Sequence, residues 1–496
     1  MTEHTAADTT DEVAEILSET EIKEIKKRSV AGSISYFLRS AFLNGIGFLS
    51  NVIISGLFTP DDFGLYGLVT NIIAFLVFFS DIGLASSLLQ KRDKPSLKDY
   101  RTAFTIQQIL SWVIVLISVF VFATGFAQSK FGPAAGWVLL SLAISFPLSS
   151  LKVVPSIMLE RKLDFSKLVV PQIFEQIVYH SILIILALNK FGAISYAYAI
   201  LARSIIGVIV MYYIKPWKIG FELCEKSLKK LLNFGAKFQL NDILARLKDQ
   251  LFFIFLAKFL PSTEFGYVQW AKSWSMYPYN LTVQNVMAVT FPTFSRLQER
   301  KDLLKKAIEK SIFFITLLIF PILTGMSLFI FPLVKILEQY SKWQPAALSF
   351  VLFTMSIAWA ALSTPLVNTL NAIGHINKSL KLMIMWTILT WVLTPIMMKF
   401  FGFNGVAIAS MIISFTAVFS IRLLRKVIRI DFWPNISSQV LATMAMAIVG
   451  ILGMSIWSMD LIRMISGMAL CTLVYLIVVF LFGRRKIWVE IKSLKR

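Results

Sequence analysis

Apolar runs follow one another along almost the whole chain, separated by short polar breaks. A bilayer span needs about 20 mostly apolar residues. Runs of that kind lie near 30–57, 65–90, 103–127, 135–158, 166–188, 192–214, 235–260, 265–290, 311–334, 346–372, 378–398, 403–424, 434–456 and 460–482. The pattern predicts an all-α polytopic membrane protein with about 14 transmembrane helices. Span 7 stands apart, because it packs Asn241, Asp242, Arg246, Lys248 and Asp249 into one third of its length. At about 100° per residue these side chains fall within an arc of roughly 160°. Ile243, Leu244, Leu247 and Leu251 take the other face. A charged face at membrane depth must meet protein or water. Two readings stay open: the wall of a transport cavity, or a self-neutralised strip in which Arg246 pairs with Asp242 and Asp249.

An internal repeat organises the rest. FTPDDFG at 58–64 answers FLPSTEFG at 259–266, with Gly64 and Gly266 offset by 202. FGAISYAYA at 191–199 answers FGFNGVAIA at 401–409, at an offset of 210. The expected division is a tail (1–28), an N-lobe of spans 1–6 (29–214), a linker (215–234), a C-lobe of spans 7–12 (235–427), spans 13–14 (428–483) and a second tail (484–496). Six spans per lobe give both the same orientation, related by a pseudo-two-fold axis along the membrane normal. Asp61 and Asp62 are expected at the N-terminus of the next helix, a capping place for acids. The stretches 215–233 and 295–310 read as basic amphipathic helices on the inner surface.

Composition agrees with the pattern: 57% of the 496 residues are hydrophobic and 16% charged. A net charge of +21 would suggest nucleic acid in a soluble protein. Here the positions of the cations decide otherwise. With a cytoplasmic N-terminus, 36 Lys and Arg fall in the tails and even-numbered loops and 7 in the loops opposite. That bias predicts an inner-membrane protein with both termini cytoplasmic, with membrane lipids as partners and no nucleic acid. Cys224 and Cys471 are too separated for a structural disulfide, the three His have no metal-ligand spacing, and no GxxxxGK[ST] phosphate loop occurs. No cofactor is expected, and any transport would draw on an ion gradient (H+ or Na+), the membrane potential or downstream consumption of the product. A monomer is expected.

Charges inside the spans carry the candidate chemistry. Arg39 and Asp81 sit about equally deep, ~13 Å from the inner surface at 1.5 Å per residue. They suit either a buried structural pair or a switch that a charged substrate disrupts. Arg203 lies mid-span, Lys272 in span 8 and Glu175 in span 5. Lys152, near the inner end of span 4, is expected to snorkel to the surface. Cations inside spans outnumber acids six to four. Each isolated charge costs at least about 2.5 kcal/mol at a span centre, so the surplus suits an anionic ligand.

The runs PDDFGLYGL and FFSDIGLASSLLQKRD, with FGYVQWAKSWSMYPYN and FPTFSRLQERKDLLKKA, resemble the Wzx-type oligosaccharide flippase family over roughly 30–425. That family sits in the multidrug/oligosaccharidyl-lipid/polysaccharide exporter superfamily. The resemblance implies two six-helix lobes around a central cavity, with two added C-terminal helices. It implies transport of a polyprenyl-diphosphate-linked oligosaccharide by alternating access, not an enzymatic activity, with a glycan polymerase or chain-length machinery as further partner. On that resemblance Arg39, Arg203, Arg246, Lys248 and Lys272, with Asn241 on the span 7 face, are substrate-binding candidates. Asp81, Glu175, Asp242 and Asp249 are coupling or gating candidates. The competing readings are a multidrug or lipid II transporter of the same superfamily and a membrane glycosyltransferase or polymerase. The outer loops are too short for a glycan active site, and an extruder of cationic drugs would need an acidic cavity.

Overall fold

The computed structural model describes residues 42–81, 84, 87–88, 95–162, 164–225 and 250–494. All regular structure among them is helical. In the first half α1 is Phe42–Leu57 and α2 Pro60–Asp81. They are followed by α3 (Leu97–Ala123), α4 (Ala134–Glu160), α5 (Phe165–Leu188) and α6 (Ile194–Ile214). The second half starts with α7 (Phe252–Phe259) and α8 (Ser262–Tyr279), which runs on through a wide π turn, Asn280–Gln284, to Arg296. Then come α9 (Lys301–Ile336), α10 (Ala347–Ala372) and α11 (Ile376–Phe401). Helix α12 is Asn404–Phe415 with its continuation Val418–Arg425. Helices α13 (Phe432–Leu452) and α14 (Leu461–Leu494) close the chain.

Ten helices, α3–α6 and α9–α14, are long and apolar enough to cross a membrane. The expected spans 1, 2, 7 and 8 do not reach that length and hydropathy within the described residues. Side chains such as Leu116, Phe120 and Leu481 stand 63–70% exposed on the outside of the bundle, as a lipid-facing surface requires.

Local sequence sets where the helices begin. Asp62 Oδ2 accepts from the backbone N–H and hydroxyl of Thr59, while Thr59 Oγ1 accepts from the Asp62 N–H. This reciprocal capping box starts α2 and accounts for Asp62 as the sequence anticipates. Ser96 and Asp99 form the same box at α3.

Packing repeats with the sequence. In the first half α3 packs on α4, α4 on α6 and α5 on α6; in the second, α9 packs on α10, α10 on α12 and α11 on α12. Helices α2 and α8, the counterparts in the two halves, pack on each other. Their first turns meet backbone to backbone. A Cβ on Gly266 would lie 1.8 Å from the Pro60 carbonyl oxygen, and one on Gly64 would lie 2.4 Å from that of Ser262. Pro60 and Ser262 differ by the same 202 residues as the two glycines, so this contact is reciprocal between the two copies of the motif. Only glycine permits such an approach. Thr263 Oγ1 donates to Asp61 Oδ1 across the same contact, at 2.9 Å.

A 3-10 turn before α10, Glu338–Ala346, ties the second half to the last turn of α1. Tyr340 donates to the Val52 carbonyl at 2.5 Å, Trp343 Nε1 to Ser55 at 2.8 Å and Lys342 Nζ to Gly56 at 2.7 Å. Helix C-termini leave carbonyls without intrahelical partners, and Trp343 and Lys342 supply donors there. Helices α13 and α14 pack on α9, outside the repeat.

The first part of the linker differs from expectation, and residues 226–234 lie outside the described residues. Residues 216–224 are not helical. They run over the start of α3, where Glu222 and Cys224 donate their backbone N–H to Thr105 and Thr102. Ile219, Phe221 and Leu223 point outward, 47–71% exposed, while Glu222 faces Arg101 at 3.6 Å. This alternation has the period of extended chain rather than of a helix. The stretch 295–310 is also not one helix, since a turn at 297–300 separates α8's continuation from α9.

Candidate functional site

A cavity of about 520 Å3, with charged and hydroxyl groups set among largely apolar walls, lies inside the first half and is lined by α2 to α6. Small residues make the room. Ser145, Ser149 and Ser150 on α4 and Ser204 on α6 line it where larger side chains would fill it. Glu175 of α5 is buried, 7% exposed. It is sandwiched between two cations. Lys152 Nζ from α4 pairs with its Oε1, and Arg203 Nε from α6 lies 3.6 Å from its Oε2. Gly207, one turn beyond Arg203, provides the seat: a Cβ there would fall 2.1 Å from Glu175 Oε1. The Arg203 guanidinium also sits 5.8 Å from the centre of the Tyr179 ring, within cation–π range. Tyr179 donates in turn to Tyr66 of α2 at 3.2 Å.

Two predicted residues, Arg203 and Glu175, are thus brought together from spans 6 and 5. Lys152 corrects the sequence reading. It does not snorkel; its side chain is 16% exposed and ion-paired. The carboxylate of Glu175 draws it inward, and that partner lies 23 residues away, beyond the reach of spacing rules. Among the described lining residues the cavity carries two cations and one anion.

A second cavity is a groove of about 1580 Å3 between α1, α8, α9 and α14. Its walls include Phe48, Trp274, Met326, Phe329, Tyr475 and Phe480, and none of its described lining residues is charged. Helix α14 supplies one whole side of it, Met468 to Leu481. The two cavities share no lining residue.

Lys272 takes neither place. Its Nζ lies 3.3 Å from the centre of the Phe253 ring on α7. Asn241, Asp242, Arg246, Lys248, Asp249 and Arg39 lie outside the described residues. Asp81 ends α2, and its side chain is outside the description.

Comparison with known proteins bears on this arrangement. A family model described as polysaccharide biosynthesis protein matches residues 53–348. The succinoglycan biosynthesis transport protein ExoT of Rhizobium meliloti (strain 1021) is 21% identical over 282 residues, 57% of each chain. The lipopolysaccharide biosynthesis protein WzxC of Escherichia coli (strain K12) is 19% identical over 304 residues, 61% of each. The chain thus aligns with only about six-tenths of the length of these relatives. Among solved structures, the lipid II flippase MurJ in an inward closed conformation superposes with a TM-score of 0.70 at 15% identity, covering 92% of this chain and 100% of that one. An inward-facing multidrug resistance transporter of the MATE family gives 0.58 at 15% identity, covering 77% and 94%. These two likenesses concern the fold.

Proposed function

Because the chain belongs to the polysaccharide biosynthesis protein family, we propose that it is a flippase carrying a polyprenyl-diphosphate-linked oligosaccharide across the cytoplasmic membrane. The observation that carries this reading is the pairing of two separate cavities, one without charged lining residues and one that carries cations. A lipid-linked glycan has an apolar tail of many carbons and a large hydroxylated head. The tail needs an apolar channel open to the bilayer. The groove of about 1580 Å3 walled by α14 and α1 is predominantly apolar and has no charged residue in its described lining. The head needs a polar path, and the first-half cavity has hydroxyls and cations. ExoT is named a transport protein of succinoglycan biosynthesis and WzxC a protein of lipopolysaccharide biosynthesis, which agrees with a glycan cargo.

The diphosphate is assigned to Arg246 and Lys248 in span 7, near the bilayer midplane. Arg can bind phosphate oxygens with its planar fork and Lys as a point charge. The cation bias of 36 to 7 supports cytoplasmic termini. In that orientation the Gly64–Gly266 contact closes the outer end of the molecule. Alternating access would then require α2 and α8 to part there. The driving ion is H+ or Na+ in this reading, and the chain works without a cofactor.

The test is cellular. Cells lacking the protein should lose their surface glycan and accumulate lipid-linked oligosaccharide in the inner leaflet, and re-expression should reverse both. Loss of the surface glycan without accumulated lipid-linked intermediate would argue for a role in synthesis instead.

A further inference from the structure

Helix α1 opens the first repeat in the sequence, yet its outer turns are bonded to the second half. Tyr340, Lys342 and Trp343 of the 3-10 turn hold the carbonyls of Val52, Gly56 and Ser55. Helix α8 adds further donors. Trp270 Nε1 and Trp274 Nε1 both donate to Ser55 Oγ, at 3.0 and 3.2 Å, and Tyr277 donates to the Gly47 carbonyl at 3.2 Å. The Phe48 ring stands edge-on to those of Trp274 and Tyr277, with 5.4 and 5.6 Å between centres. We propose that α1 moves with the second half, so that the joint of the transporter lies between α1 and α2 and the apolar groove keeps its shape when the halves part. The proposal rests on the alternating-access reading and assigns α1, and with it the tail's groove, to one of the two moving bodies.

Burial decides which side holds α1. Ser55, Trp270 and Trp343 are all buried. A buried donor that loses its acceptor carries the full cost of its desolvation. If α1 stayed with α2–α6, opening would strand these indoles and the Ser55 acceptors together. On the first-half side the contacts are of another kind. Gly47 passes His180 of α5, where a Cβ would lie 4.0 Å from Nε2, and Phe58, just beyond α1, packs on the Tyr196 ring of α6 at 5.1 Å. Such contacts can slide. The chain also has a joint in the right place, since Phe58 and Thr59 are the non-helical residues between α1 and α2. The Phe58 N–H is still bonded to the Ile54 carbonyl in α1, at 2.8 Å. The Thr59 N–H is bonded forward to Asp62 in α2. The φ and ψ of Phe58 are thus the pivot, and residues at the ends of elements are the ones that absorb a hinge motion.

This assignment has a consequence for the groove. Phe48, Val52, Ile53, Gly56 and Leu57 of α1 form one of its walls, and its other described lining residues belong to the second half. With α1 in the first body the groove would be split each time the halves part. With α1 in the second body the whole groove lies in one body. A lipid tail seated there can stay in place through the cycle, while the path of the polar head alone changes sides.

The experiment measures distances between pairs of nitroxide labels by electron–electron double resonance, on the full-length protein in lipid nanodiscs with Cys224→Ser and Cys471→Ser. The labels go on exposed residues near the end where Gly64 meets Gly266: Ile53→Cys on α1, Leu188→Cys on α5 and Leu348→Cys on α10. Each pair is measured with and without Gly266→Ala, which opens that end; Gly64→Ala takes its place if that variant does not fold. The distances from Leu188 to Ile53 and to Leu348 should both lengthen, and that from Ile53 to Leu348 should not change. Lengthening from Ile53 to Leu348, with Ile53 to Leu188 unchanged, would put α1 in the first body and overturn the proposal. Three unchanged distances would refute the opening and the proposal with it. A disulfide gives a second measurement. A Cβ on Gly56 would lie 3.7 Å from Gln339 Cγ, so Gly56→Cys with Gln339→Cys should join α1 to the 3-10 turn on oxidation. The oxidised protein should still show the lengthening between Leu188 and Leu348, and its loss would overturn the proposal. No substrate enters either measurement. The expected distances, combined with no flipping of a lipid-linked glycan, would sink the flippase reading and leave this inference standing.

Discussion

Gly266→Ala probes the contact between the two halves. The new Cβ would lie 1.8 Å from the Pro60 carbonyl oxygen and 3.2 Å from the Gly64 nitrogen. The oxygen belongs to backbone at a helix start and cannot swing aside like a side chain. To restore an ordinary contact of 3.4 Å α2 and α8 must part by about 1.6 Å, and overpacking of this sort costs about 1–3 kcal/mol. Only the state in which the two helices touch bears this cost. The equilibrium should therefore shift away from the closed end by roughly five- to more than a hundred-fold. Gly64→Ala, at 2.4 Å from Ser262 oxygen, should act in the same direction and less strongly. The assay is disulfide cross-linking of Asp61→Cys with Thr263→Cys, whose native side chains are hydrogen-bonded at 2.9 Å, in a background with Cys224 and Cys471 replaced by Ser. The pair should cross-link readily on oxidation and far more slowly once Gly266→Ala is added. An undiminished cross-linking rate in the alanine variant would refute the argument.

Other outcomes follow from the same geometry. Glu175→Ala strands Lys152 and Arg203 at membrane depth and should lower stability by about 3–5 kcal/mol, as for one partner of a buried pair, seen as a lower unfolding temperature in detergent. Gly207→Ala pushes a methyl to 2.1 Å from Glu175 Oε1 and should lower the same temperature, by about 1–3 kcal/mol of overpacking; Gly207→Ala combined with Glu175→Gln should not fully recover it, because the clash remains. Thr59→Ala breaks the capping box of α2 and should cost about 1 kcal/mol in the same thermal assay. Arg246→Ala with Lys248→Ala should abolish glycan export at matched expression, and wild-type export would mean that the span 7 face is structural.

Much of the fold is legible in the chain because a bilayer restricts the choices: backbone groups must be paired internally, so long apolar runs become helices. The repeat was legible too, in FTPDDFG and FLPSTEFG. What those motifs do for each other was not. Identical letters 202 positions apart do not say that Gly64 and Gly266 touch; that follows from the packing of α2 on α8. Within the site, Arg203 and Glu175 announced themselves as charges inside apolar runs. Lys152 did not, because a Lys near a span end has a cheap alternative in snorkelling, and its partner sits on another helix. The first part of the linker, 216–224, misled for a different reason. Lys226, Lys229 and Lys230 suggest a helical face, but Ile219, Phe221 and Leu223 alternate with Lys218, Gly220, Glu222 and Cys224, a period-two signal that the extended backbone follows.

The central claim is that this chain moves a lipid-linked glycan between leaflets. The most direct measurement is flipping by the purified protein in liposomes. A polyprenyl-diphosphate-linked oligosaccharide is placed on the outer leaflet, and its protection from an added glycosidase is followed with time. The account predicts that protection appears faster in liposomes containing the protein than in protein-free liposomes, and that Arg246→Ala with Lys248→Ala removes the difference. Protection at the protein-free rate, with folded protein present in both orientations and an ion gradient imposed in either direction, would contradict it.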